Sequence, residues 1–284
     1  MQSCVSRKVG VLLLPLAVAL AGCDMAFHGH LTGRATDEWT RSYPLASGGE
    51  LRIVNTNGKI EVEGVAGSTV EVRAERIARG ISDAAAAELL PRIVIKEDAK
   101  PDRVSLETER MSGIMIGAAF EVRYHVRAPK NAVVNMTNTN GQVVVNAVSG
   151  KVVAHTTNGA VKGTNLTGGV DGQTTNGSVS IDMASIGSAP ISLETTNGSV
   201  TLMLPEQAKA SVSASVTNGG INVGSLDNFD VTEKSRRHLE GKMNGGGTAI
   251  DLHTTNGSIR LRSRDTVNTR TDTDTAEKDK DKDR

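Results

Sequence analysis

Val170-Asp171-Gly172-Gln173-Thr174-Thr175-Asn176-Gly177-Ser178-Val179-Ser180-Ile181 is followed, 21 residues on, by Ile191-Ser192-Leu193-Glu194-Thr195-Thr196-Asn197-Gly198-Ser199-Val200-Thr201-Leu202. The shared Thr-Asn-Gly occurs seven times in the 284 residues, and its asparagines are Asn57, Asn140, Asn158, Asn176, Asn197, Asn218 and Asn256. They lie 83, 18, 18, 21, 21 and 38 residues apart, which defines a repeat of about twenty residues from Asn140 onward, the last gap holding two units or one with an insertion.

Aligned on the asparagine, each unit carries an aliphatic residue six positions before it (Leu51, Val134, Val152, Val170, Ile191, Val212, Ile250) and three after it (Ile60, Val143, Val161, Val179, Val200, Ile221, Ile259). The positions four before and five after are mostly apolar, whereas three before stand Thr137, His155, Gln173, Glu194, Ser215 and His253, with Val54 the one apolar member. Period two on each side of Thr-Asn-Gly, out of phase across it, reads as strand, corner, strand. Asn and Gly readily take positive φ, as a sharp corner demands. An Asn-Gly hairpin would make alternate units run up and down, but every unit here presents the same columns in the same order. The fold class expected is therefore all-β, a β-solenoid of stacked parallel coils. With strands about 4.8 Å apart, the seven asparagine amides are expected to bond to one another as an interior ladder. Their role in this reading is structural.

The N-terminus has the layout of a secretory signal peptide: Arg7 and Lys8, an apolar run from Val9 to Ala19, then Leu20-Ala21-Gly22-Cys23. These last four residues match the bacterial lipobox and so resemble lipoproteins cleaved before a Cys that is acylated on its thiol. The resemblance implies that Cys23 is the first residue of the mature chain and carries lipid. The apolar run is too short for a comfortable transmembrane helix. The only other cysteine, Cys4, leaves with the leader, so neither a disulfide nor a cysteine metal site is expected in the folded part. With 32 acidic and 32 basic residues, nothing in the charge balance points to nucleic acid.

The domain reading follows: leader 1–22, tether 23–50 ending in a first strand, N-terminal cap 51–130, solenoid 131–264 and disordered tail 265–284. The cap opens with a repeat-like unit, Leu51 to Val62. It also holds the one good helix pattern, in which Ser82 caps, Asp83 suits the first turn and Pro91 stops the helix after Leu90. Inside the solenoid, 226–247 is irregular and carries Lys234, Arg236, Arg237 and His238, read as a solvated basic loop.

These features together resemble the bacterial putative-adhesin family, domains of unknown function found on envelope and lipid-anchored proteins. The resemblance covers roughly residues 50–264. It rests on the early strand pair, the helix near Ala84 to Leu90, Val126-Arg127-Ala128-Pro129 leading into the repeats, and Gly241-Lys242-Met243-Asn244-Gly245-Gly246-Gly247 before His253-Thr254-Thr255-Asn256-Gly257-Ser258-Ile259. The apolar, Gly-containing stretch Met111 to Ala119 departs from it and reads as an enlarged loop. The resemblance brings no catalytic residues.

A glycan-processing enzyme on a β-helix needs paired carboxylates or a base on one face. Asp171, Asp182, Glu194 and Asp251 fall in different columns or distant coils. His155 and His253 share an outward column but are expected four or five coils apart, about 20 Å, too far to hold one metal. No nucleophile triad or phosphate loop is present, and Phe229 is the only aromatic residue between 131 and 264. The expected function is a lipid-anchored, non-enzymatic envelope protein without cofactor. Its partners are expected to be the membrane, through Cys23, and an envelope protein or glycan. The alternatives are the envelope polysaccharide enzyme and a self-assembling scaffold.

Overall fold

A computed structural model describes residues 31–109, 117–224, 226 and 228–264. Residues 1–30, which include the expected leader and Cys23, residues 265–284 and most of the expected Met111 to Ala119 loop lie outside the described residues.

The chain opens with β1 (Gly33–Pro44), then a first coil of β2 (Glu50–Asn57) and β3 (Ile60–Val65), and β4 (Thr69–Gly80). The helix α1 (Asp83–Leu89) is capped by Ser82, whose side chain accepts from the Ala85 N–H at 3.2 Å. Pro91 does not end it at once, because Leu90–Arg92 continues as a 3₁₀ turn. Strands β5 (Ile95–Lys100), β6 (Arg103–Thr108) and β7 (Ala118–Pro129) follow. The regular coils are β8 (Val133–Asn140) with β9 (Val143–Asn146), β10 (Val152–Asn158) with β11 (Val161–Leu166), β12 (Val170–Asn176) with β13 (Val179–Met183), and β14 (Ile191–Asn197) with β15 (Val200–Leu204). The chain closes with β16 (Ala210–Val223), the hairpin β17 (Phe229–Lys234) and β18 (His238–Met243), and β19 (Thr248–Ser263).

Strands before the Thr-Asn-Gly corner form one sheet face in the order β5, β6, β2, β8, β10, β12, β14, β19, β16, β18, β17. Strands after it form a second in the order β1, β4, β7, β3, β9, β11, β13, β15, β19, β16. The long strands β16 and β19 bend at the corner and serve both. From β2 to β16 the pairing on the first face is parallel and in register at every asparagine, Asn57 beside Asn140 and Asn197 beside Asn256. This is the solenoid expected from the equal columns.

The coil order is not the chain order. The unit of Asn57 sits between β6/β7 and β8/β9, two segments consecutive in the chain apart from that slot. At the other end β19 enters between β14/β15 and β16, so the stack runs Asn197, Asn256, Asn218. The 38-residue gap therefore holds one unit plus the β17–β18 hairpin. Two expected boundaries move with this: residues 51–62 belong to the stack rather than to a cap outside it, and twelve residues of the supposed tether form β1, paired along its whole length with β4.

The core lies between the two faces. The column six before the asparagine is at most 3% exposed in all seven units, each side chain contributing about 1.5–3 kcal/mol of burial. In the column three after it only Ile221 is not fully buried, because its strand ends the second sheet.

Candidate functional site

The asparagines do form a ladder. Six of the seven side-chain amides donate to the side-chain carbonyl oxygen of a neighbouring asparagine: Asn140 to Asn57 at 2.8 Å, Asn158 to Asn140 at 2.9 Å, Asn176 to Asn158 at 2.8 Å, Asn197 to Asn176, Asn256 to Asn197 and Asn218 to Asn256 at 2.9 Å. All six bonds point the same way. The ladder is not interior, however: Asn57 is half-buried and the other six are exposed. Counting by twos from the inward columns puts the asparagine inside, but the alternation breaks at the corner, where in four of the units the Thr and the Asn before the Gly are both exposed.

The interior polar column stands two residues earlier. Thr156, Thr174, Thr195 and Thr254, 0–6% exposed, donate their hydroxyls to the carbonyls of Gly141, Gly159, Gly177 and Gly198 at 2.8–3.1 Å. Asn138 and Asn55 do the same through their amides, to Gly58 and Val122. Only Val216, in the last coil of the stack, lacks a donor. The recurring Thr before Thr-Asn-Gly was the sequence signal for this column, since it shares the parity of the aliphatic positions.

Glycine at the corner is fixed by the stacking itself. A Cβ on Gly198 (φ 159°) would lie 1.8 Å from the Gly177 carbonyl oxygen, and one on Gly177 would lie 2.0 Å from that of Gly159. The coils can pack at strand spacing only because nothing projects there.

What faces solvent is therefore a regular polar surface. Thr157, Thr175, Thr196 and Thr217 are exposed beside the asparagine ladder, and a second outward row runs Thr137, His155, Gln173, Glu194, His253, Ser215. In that row His155 Nε2 meets Asp171 Oδ1 of the next coil at 3.1 Å, and His253 Nδ1 meets Ser215 Oγ at 2.9 Å. Because β19 is inserted beside β14, His155 and His253 are three coils apart rather than four or five, about 14 Å, still beyond one metal. Asp182 pairs with Arg264 at 3.4 Å and does not meet Asp171, Glu194 or Asp251 as a carboxylate pair.

A groove of about 870 Å³ lies at the N-terminal end of the second face, lined by Arg41, Arg73, His125, Arg127 and by Glu61, Glu63 and Glu71 among others. Arg127 bonds to Glu71 at 2.9 Å and His125 Nδ1 lies 3.2 Å from Glu61. Both charge signs meet there on half-exposed side chains, an amphoteric surface whose ion pairs are individually weak. These strands fall in the expected tether and cap; the alternating Glu and Arg of β4 and β7 was the available signal.

Residues 46–262 match the model of the Toastrack DUF4097 family, a domain of unknown function. The chain belongs to this family. The Toastrack fold seen here is similar to two crystal structures: a putative cell adhesion protein from Clostridium sporogenes (12% identity, TM-score 0.43, covering 81% of this chain and 100% of that one), and a putative adhesin from Bacteroides fragilis (11% identity, TM-score 0.28, covering 80% and 97%). No curated protein matches the chain.

Proposed function

We propose that this Toastrack protein is a lipid-anchored, non-enzymatic component of the cell envelope that presents its outward Thr and Asn columns to another envelope component, a glycan or a polar protein surface. The observation that carries this reading is the one-way asparagine ladder with exposed threonines beside it. Locked amides and short hydroxyl side chains lose little entropy on contact, and repetition along the stack makes many weak bonds act together. Hydrogen bonding without large apolar patches suits a multivalent contact rather than a tight single one. Attachment rests on Leu20-Ala21-Gly22-Cys23.

Two measurements test it. In cells, Cys23→Ala is expected to abolish palmitate incorporation and recovery with membranes after a high-salt wash; continued recovery would refute the anchor. With purified full chain, co-sedimentation with isolated envelope glycan and with envelope protein is expected to drop when Thr175 and Thr196 are both changed to Lys. Unchanged co-sedimentation, or turnover of the glycan by the wild type, would refute the binding reading.

A further inference from the structure

The β17–β18 hairpin, read from sequence as a solvated basic loop, contains an arrangement that its own charges do not explain. A register shift between Val231 and Glu233 brings Glu233 directly opposite Glu240; without it Thr232 would stand there. Bulges of this kind re-aim side chains, and here the result is two like charges facing each other, which is unfavourable in a bare sheet. Lys234, Arg236, Arg237 and Lys242 belong to the same hairpin. None of them forms an ion pair with either carboxylate among the described residues. The group that does approach is His238, whose Nε2 lies 3.4 Å from Glu240 Oε1.

We propose that Glu233, His238 and Glu240 bind one divalent transition-metal ion of the Zn²⁺ type. One ligand atom from each lies within 4.8 Å of the other two. Zinc bonds of about 2.0–2.2 Å to nitrogen and oxygen in a tetrahedral shell set donor separations of about 3.3–3.5 Å. The His238–Glu240 separation already has this value, and the exposed carboxylate of Glu233 closes the rest by side-chain rotation. The backbone beneath is held: Ser235 Oγ accepts from the Arg237 and His238 N–H groups at 3.3 and 2.9 Å, and the Ser235 N–H donates to the His238 carbonyl at 2.8 Å. On the neighbouring strand Ser213 stands beside Glu240 and Ser215 beside His238, so the flank facing the stack is neutral. An imidazole with two carboxylates favours transition metals over Mg²⁺ and Ca²⁺, which prefer all-oxygen shells. The ion would relieve the carboxylate repulsion and tie the two strands of the hairpin that closes the first sheet.

Calorimetric titration of the chelator-stripped full chain with ZnCl₂ is expected to show one more bound equivalent in the wild type than in Glu233→Gln or in His238→Gln. His155→Gln, on a distant coil, is expected to bind as the wild type does. Zinc is expected to raise the Tm of the wild type and to shift the amide resonances of residues 233–240 by NMR, while MgCl₂ and CaCl₂ do neither. The Glu233 and His238 positions are on the surface, so circular dichroism is expected to report unchanged folding for both variants. Equal zinc stoichiometry in wild type and both variants, or an equal response to Mg²⁺, would overturn the proposal.

Discussion

At the level of single residues, burial rather than polarity sets what each member of Thr-Thr-Asn-Gly contributes. Thr195 is fully buried and donates to the Gly177 carbonyl. Thr195→Val keeps the shape and strands that carbonyl, and is expected to cost about 1–3 kcal/mol in denaturant melts. Asn197→Ala removes bonds that water can replace, and the expected loss is under about 1 kcal/mol; a larger loss than for Thr195→Val would contradict the assignment of the two columns. Gly198→Ala drives a methyl into the Gly177 oxygen and is expected to cost about 3 kcal/mol or more. Tyr124 adds a pH dependence: burial pushes its hydroxyl up from the usual value, against a smaller opposing effect of its bond with Thr108. A folded-state pKa raised above the unfolded value of about 10 means that stability is full below pH 10 and is lost as the pH rises further. Thermal melts between pH 8 and 12 are expected to fall less steeply above pH 10 for Tyr124→Phe, which also loses about 1 kcal/mol at neutral pH with its hydrogen bond. Identical slopes for the two proteins would show that Tyr124 is not the group responsible. That the asparagines pair was legible in their spacing. That they pair on the outside was not, because parity carries through a strand but not through a corner.

Secondary elements differed in how plainly the sequence announced them, and the reason is which face they bury. Strands β8 to β15 alternate because one side of each faces the core, and their columns were readable directly. Strand β5 buries only Ile95 of its six residues, and β17 only part of Phe229. Such strands carry no period-two signal, so 226–247 read as a loop and much of β1 as a tether. Their composition has its own logic: Lys96, Glu97, Asp98 and Lys100 on β5, and Asp230, Glu233 and Lys234 on β17, place charge on the two edges of the first face. Charged edges oppose pairing with a second molecule. Changing Lys96 and Asp98 together to Val is therefore expected to produce concentration-dependent association, read by size-exclusion chromatography with light scattering. A strictly monomeric double variant would mean that the edge is protected by something other than its charge.

For the whole molecule the decisive feature is the mismatch between chain order and stack order. In an ordinary solenoid each unit touches only its chain neighbours, and terminal units can fray or be removed one at a time. Here the first and the last Thr-Asn-Gly units are both inserted between units that precede or follow them in the chain, so β16 reaches the rest of the stack only through β19. Pairings such as Asn57 with Asn140, 83 residues apart, also raise the loop-closure cost of folding. A chain truncated after Met243 removes β19 and leaves β16 to β18 with no parallel partner. Hydrogen-exchange mass spectrometry of this truncation is expected to show loss of amide protection throughout 210–243, together with faster exchange in β14 and β15, whose outer edge β19 covers. Removal of 265–284 alone is expected to leave protection in 210–243 as it is in the full chain. If 210–243 stayed protected after loss of β19, the C-terminal hairpin unit would fold by itself, and the stack would be an ordinary one-dimensional array with a detachable end.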